Sequence, residues 1–237
     1  MPFSGSSEVT SAPPIIRTCE PLVCCDPVWE QAYLRFETPA EERQKFRGRL
    51  RRLGAEHWPR NAQAVEIFCG RGNGLCALAE LGFTSLEGVD LSERLLRQYA
   101  GSATLYVADC RKLPFPDASR DIVIVQGGLH HLPSLPEDLE GVLGEVRRIL
   151  RPGGRIVIVE PWLTTFLRAV HFISQRKLAQ RCWGKFEAFA TMMDRERTTY
   201  FAWLGMPETI LKILDSTFHP ERRNFILGKL EYVGLRS

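Results

Sequence analysis

The sequence predicts an α/β domain built on a doubly wound, mostly parallel sheet, with a helical insertion after the fifth strand. Three observations carry this reading. From residue 64 short runs rich in Val and Ile alternate with helical patterns, as in βαβ units. The first of these runs leads straight into a glycine turn, Gly70-Arg71-Gly72-Asn73-Gly74. After Glu160-Pro161 the strand signal stops for almost sixty residues and returns only near Asn224.

Composition bounds the reading first. Of 237 residues, 44 % are hydrophobic and 25 % charged, which excludes a disordered chain and a fibre. No run of about 18 apolar residues lacks charge, so no helix is expected to span a membrane. The net charge of +3 is too small to argue for a nucleic-acid or membrane-surface partner. A small-molecule partner and a monomer or homodimer are expected instead. Met1 to Pro14 is Ser/Pro-rich without the apolar stretch of a signal peptide, and 1–14 reads as a disordered tail. The seven cysteines are scattered, which fits reduced thiols in the cytoplasm. Cys19, Cys24 and Cys25 are close in sequence, but no second pair or nearby His completes a four-ligand zinc site, so no metal is expected.

Residues 15–60 read as N-terminal helices. Pro27 to Phe36 places Trp29, Tyr33 and Phe36 on one face at helical spacing. Thr38-Pro39-Ala40-Glu41 is a capping box with Pro at the first helical position. The basic residues of the following helix surround its Phe46, Leu50 and Leu53 stripe, as on a solvated amphipathic helix. The core, 61–161, has strands expected at 64–68, 86–90, 104–108, 121–126 and 155–160. Helices are expected at 73–81, 93–99 and 136–150, the last stopped by Arg151-Pro152-Gly153-Gly154. Residues 162–205 form the helical insertion, with helical patterns at 166–181 and 186–191. Residues 206–237 supply a C-terminal helix over 207–218 and the closing strand or hairpin.

The glycine turn lets backbone approach a ligand closely, and the helix start behind it favours a negative group. Its spacing separates it from a dinucleotide fingerprint: G-x-G-x-x-G would need a third glycine where Leu75 stands, and here it is Gly74. Asp90 and Asp109 end the second and third strands, and Glu66 lies in the first. A carboxylate at Asp90 can accept both ribose hydroxyls, and one at Asp109 can accept from an adenine amino group. Three acids at strand ends beside a glycine turn define one crevice at the carboxyl edge of the sheet.

Residues 64–161 resemble the core of class I S-adenosylmethionine-dependent methyltransferases of the small-molecule, methyltransferase-11-like type. The segments VEIFCGRGNG, LEGVDLS, VADCRKLPF, DIVIVQGGLHHLP and EVRRILRPGGRIVIVEP carry the resemblance, in order. It implies a Rossmann-like sheet of seven strands and S-adenosylmethionine as cofactor, leaving S-adenosylhomocysteine. By the same resemblance Glu66, Gly70, Arg71 and Gly72 hold the methionine part. Asp90 with Leu91 takes the ribose, Asp109 with Cys110 takes the adenine, and Gln126 with Gly127 meets the methionine ammonium. One departure stands out: Phe68 occupies a position that is usually glycine.

A base is needed only if the accepting atom arrives protonated. His131 is the first candidate and His130 the second, each alternatively a ring packed under the cofactor; Glu160 is a third, alternatively a cap. No Asn/Asp-Pro-Pro-aromatic motif follows the fourth strand, which argues against methylation of exocyclic amines in bases. The stretch 162–203 holds 9 of the chain's 23 aromatic residues and is expected to roof an acceptor pocket. Trp162, with Tyr33 and Phe36 from the other side, is expected to touch the acceptor. The reading is a methyltransferase acting on O, N or C of a small, partly apolar metabolite. A non-catalytic subunit with the same fold is the alternative, and an NAD-dependent oxidoreductase is disfavoured by the glycine spacing.

Overall fold

The computed structural model describes residues 13–20, 26–176 and 183–237. The tail expected over 1–14, except its last two residues, and Cys24, Cys25 and Cys182 lie outside them. Eight strands form one sheet: β1 (Ile15–Arg17), β2 (Gln63–Ile67), β3 (Ser85–Asp90), β4 (Thr104–Val107), β5 (Arg120–Gln126), β6 (Leu150–Pro161), β7 (His219–Ile226) and β8 (Lys229–Leu235). Their order is β1-β4-β3-β2-β5-β6-β8-β7, parallel from β1 to β6 and antiparallel through β8 and β7. The expected seven strands become eight because Ile15–Arg17 adds to the edge of β4. Three residues carry too little alternation to announce a strand, and this one is defined by the partner it finds.

The helices are α1 (Pro27–Phe36), α2 (Pro39–Arg52), α3 (Asn73–Glu80), α4 (Glu93–Leu96), α5 (Glu137–Ile149), α6 (Thr165–Ser174), α7 (Gly184–Arg195), α8 (Arg197–Gly205) and α9 (Pro207–Thr217). The capping box at Thr38 and Glu41 is formed on both sides. Helix α4 is shorter than the pattern suggested. Helix α8 has no counterpart in the sequence reading, because Tyr200, Phe201, Trp203 and Leu204 crowd its turns without a clean apolar stripe.

Strand alternation sorts the core. Val65, Ile67, Val123 and Val125 face α5 and the insertion side, with Leu139, Val146 and Trp203. Ala64, Ile122, Ile124 and Val157 face the other side with Phe46, Leu50, Ala77 and Leu78 of α2 and α3. Both faces are covered, so the strands read as nearly continuous apolar runs. The strand order switches at β2, with β3 and β4 added on one side of it and β5 and β6 on the other, and the crevice lies at the carboxyl ends of these strands.

Candidate active site

The turn after β2 is held in unusual backbone. Phe68 has φ of 56° and Gly70 53°, the region that disfavours side chains. Phe68 is tolerated there because Gly128, across the crevice floor, has no side chain: a Cβ at 128 would sit 2.3 Å from the Phe68 ring. The large ring at the strand-to-turn junction is therefore accommodated by a missing side chain on the next loop. Gly72 has φ of 73°, and a Cβ there would meet the Tyr99 ring at 2.3 Å. It does not line the cavity, so its requirement is packing against Tyr99 and not close approach of a ligand. Gly74 is required by Glu66, whose carboxylate would lie 1.9 Å from an added Cβ.

A cavity of about 420 Å³ opens above this turn, within the range of small-ligand sites. Glu66, Gly70, Arg71, Asp90, Leu91, Asp109, Cys110, Gln126 and Gly127 all line it. Asp90 accepts from the backbone N–H of Gly70 and of Ser92, both at 2.8 Å, which ties the glycine turn to the end of β3. Burial nonetheless raises its pKa above the usual carboxylate value. Asp109 is held by the Arg111 guanidinium, with Nη2 at 2.6 Å, and that pairing lowers its pKa. Burial pushes the Glu66 carboxyl up to about 8, against the Gln126 amide, which donates to Oε1 at 3.2 Å. Glu66 Oε2 and Gln126 Oε1 are buried acceptors without a donor among the described residues.

The opposite wall is built from helices. Trp29 and Tyr33 of α1 stack at 5.1 Å, and Trp29 meets His131 edge-on at 6.1 Å. The Tyr33 hydroxyl donates to Glu42 of α2, which also accepts from Asn73 Nδ2 at 2.6 Å. The Arg71 guanidinium lies over the Tyr33 ring at 5.2 Å, and its Nη2 is buried without a hydrogen bond, 3.9 Å from Glu42. His131 Nδ1 lies 3.1 Å from Glu196 Oε1, at the junction of α7 and α8. Burial opposes the charged imidazole, but Glu196, with Glu160 and Asp90 further off, outweighs it and raises the His131 pKa. Leu132, Pro133, Arg195 and Thr199 complete this wall.

The comparisons with known proteins bear on the same segment. A family model described as a methyltransferase domain matches residues 65–158. A demethylmenaquinone methyltransferase of Bacillus licheniformis is 30 % identical over 56 % of this chain and 60 % of its own. A 27-O-demethylrifamycin SV methyltransferase of Amycolatopsis mediterranei is 33 % identical over 40 % of this chain and 36 % of its own. Residues 65–158 are thus similar to methyltransferase domains. Among solved structures, a protein of Pyrococcus horikoshii superposes with a TM-score of 0.66 at 19 % identity, covering 90 % of this chain and 100 % of that one. It shares the fold. The chain spans about half the length of the curated relatives it matches.

The family's cofactor fits the residues present. Its ammonium group can donate to the orphan oxygens of Glu66 and Gln126, and its carboxylate can accept from the unpartnered Arg71 Nη2. Asp90, Leu91, Asp109 and Cys110, expected to meet the ribose and the adenine, line the same cavity.

Several expectations change on this wall. Phe36 packs against Phe189 at 5.8 Å and Trp162 against Phe225 at 5.5 Å, so neither lines the cavity; Tyr33 does. Glu160 is fully buried, accepts from the N–H of Gly128 and Leu129 at 2.8 Å, and holds His130 Nδ1 at 2.7 Å. Both His130 and Glu160 lie behind the cavity and fix the loop that carries His131, so they have no reach to a substrate proton. The insertion meets the cavity through Arg195, Glu196 and Thr199, not through its aromatics; Phe166, Phe172 and Trp183 are exposed. Glu42 and Glu196 were not anticipated. Glu42 sits one position beyond the capping glutamate, where an acid has a sufficient local reason, and Glu196 belongs to a charged run that gives no direction.

Proposed function

We propose that this protein is an S-adenosylmethionine-dependent methyltransferase that transfers a methyl group to O, N or C of a small, partly apolar metabolite. The observation that carries the reading is the pair of buried, unpaired acceptor oxygens on Glu66 and Gln126, beside the strand-end carboxylate of Asp90. A ligand without hydrogen-bond donors would leave that pair unsatisfied, whereas an amino-acid ammonium, with three N–H groups, answers both oxygens. Bound there, the cofactor would supply a methyl group already activated by its sulfonium. The protein's own work is to orient the acceptor and exclude water. Trp29, Tyr33, Phe46 and Leu132 offer the apolar surface for that acceptor. The relatives named for a quinone precursor and for a rifamycin precursor support a small, partly apolar acceptor.

The transfer requires no metal in this reading, because the sulfonium already activates the methyl group and the protein has only to orient the acceptor. No nucleic acid or membrane takes part, and the protein acts in the cytoplasm as a monomer or homodimer. Among the described residues no helix is long and apolar enough to cross a membrane.

Calorimetry with S-adenosylhomocysteine and with NAD is the first test: binding of the former alone is expected. Labelled-methyl transfer to a panel of phenols, hydroxyquinones and amines, repeated with EDTA, then tests catalysis and metal independence. Cofactor binding without transfer to any acceptor would favour the non-catalytic subunit.

A further inference from the structure

The unassigned feature of this site is a histidine–carboxylate contact between the two parts of the chain that face each other across the cavity mouth. His131 belongs to the short turn Leu129–His131 after β5, and Glu196 to the insertion, at the point where α7 ends and α8 begins. Glu196 is fixed from its backbone. Its N–H donates to the Met192 carbonyl at 3.1 Å and its carbonyl accepts from Tyr200 N–H at 2.9 Å, so the side chain leaves a two-helix corner toward the cavity. The corner is anchored, because Trp203 is fully buried and donates from Nε1 to the Pro161 carbonyl at 2.8 Å. His131 is anchored in turn: Glu160 clamps the backbone N–H groups of Gly128 and Leu129 and the neighbouring His130 ring.

Resting on the methyltransferase reading, we propose that Glu196 is a positioning residue that holds His131 as its Nδ1–H tautomer, leaving Nε2 to take the proton of an acceptor O–H or N–H. The 3.1 Å contact to Nδ1 uses one ring nitrogen, and no described group bonds the other. A neutral imidazole with one nitrogen donating is left with a lone pair on the second. The step balances as follows: the acceptor O–H or N–H bond breaks and its proton bonds to Nε2. The electron pair left on the acceptor forms the bond to the methyl carbon. The pair of the broken carbon–sulfur bond returns to sulfur, which becomes a neutral thioether, and the imidazolium later loses its proton to water. The acceptor class is thereby narrowed to phenols, enols and protonated nitrogens, whose proton has to leave.

The groups facing the dyad are defined on every side. His131 faces Glu196 from the insertion, Asp90 from β3, Glu160 from β6 and the His130 ring at 4.1 Å. Glu196 faces His131, His130 Nε2 at 4.0 Å and the Trp29 indole of α1. Arg195 next to it is engaged by Asp26 at 3.0 Å. Removing the charge at 196 takes away the nearest partner of the imidazolium, so the His131 titration has to move to lower pH.

The test is the tautomer and titration of His131, read by ¹⁵N NMR of the protein bound to S-adenosylhomocysteine, in wild type and in Glu196→Gln. A wild-type Nδ1–H tautomer and a titration midpoint lower by about one pH unit in the variant are expected. In rate measurements on a phenol, Glu196→Gln and His131→Ala should each lower turnover about 10²-fold or more. The double variant should be no worse than His131→Ala, and the acid limb of the pH–rate profile should shift down in Glu196→Gln. S-adenosylhomocysteine affinity should stay within about threefold, since neither group is assigned to the cofactor. An unchanged titration, additive losses, or an Nε2–H tautomer overturns the proposal. So does a metal ion found at one equivalent whose removal abolishes activity, because His130, His131 and Glu196 present ligand atoms within 4.8 Å of one another. If no acceptor is methylated while the NMR result holds, the dyad stands and the methyltransferase reading is what fails.

Discussion

The two halves of the cavity are built by different rules. The half read as the cofactor's is an edge: Glu66, Asp90 and Gln126 lie on three parallel strands and Asp109 two residues after a fourth, and they lie together because those strands are hydrogen-bonded neighbours. The half that faces the acceptor is a meeting of helix ends and corners. Trp29 and Tyr33, Glu42, His131 and Glu196 come from four segments that no common ladder aligns. In the first half the position of each group follows from strand register; in the second it follows from tertiary packing alone. Substitutions should therefore damage the first half through binding and the second through turnover.

The sharpest test of that division is Asp90→Ala. It removes a carboxylate that ties Gly70 and Ser92 and would hold the ribose, with charge-assisted hydrogen bonds worth about 1.5–3 kcal/mol each. Affinity for S-adenosylhomocysteine should fall about 10²-fold or more by calorimetry, while circular dichroism stays that of the folded protein.

Next in size is a pH effect confined to the cofactor half. Glu66 is neutral in the free protein below about pH 8, and an incoming ammonium needs it ionised. Affinity should rise with pH by about tenfold per unit up to that value and then level off, one proton being released on binding. The sign for stability is opposite. A carboxyl whose folded-state pKa is raised contributes stability that is present below its unfolded value and lost as pH rises through about 8. The melting temperature of the free protein should decline over that window, and S-adenosylhomocysteine should restore it most at the alkaline end. A ligand affinity flat from pH 6 to 8 would remove Glu66 from the ammonium site.

A smaller effect probes the floor that both halves share. Gly128→Ala drives a methyl group into the Phe68 ring and should cost about 1–3 kcal/mol, a fall in melting temperature of about 2–4 °C for each kcal/mol. Adding Phe68→Gly should recover most of it, because that change removes the ring and relieves the left-handed backbone together. Least of all, Phe172→Ser on the exposed outer face of α6 should change stability by no more than about 0.5 kcal/mol. Were it to abolish turnover, the outer aromatics of the insertion would have a role that their position does not suggest.

Legibility in the sequence follows the same division. Strand ends announce themselves because apolar runs stop at a charged residue, and Asp90 and Asp109 could be named from that pattern. The glycine turn was readable in position but not in reason: Gly72 answers to Tyr99 and Gly74 to Glu66, contacts between residues that no local pattern pairs. Aromatic enrichment misled for 162–203. Trp162 and Phe36 satisfied their apolar surface against Phe225 and Phe189, and the insertion presented a carboxylate to the cavity instead. Composition says how much apolar surface a segment has to bury, but it does not say on which side.

Strand β1 has a consequence for how the chain assembles. Its partner β4 lies almost ninety residues further on, with Thr18 bonding to the Val107 carbonyl. On a ribosome Ile15–Arg17 emerges early and waits until Thr104–Val107 has been made, while β2 and β3 pair across a much shorter stretch. Closing the long loop costs more chain entropy, and only three residues of ladder repay it. Once the protein is folded, this edge is accordingly among the first parts of the sheet to open. Brief proteolysis of the native protein should cut near it while the strands around the glycine turn stay whole.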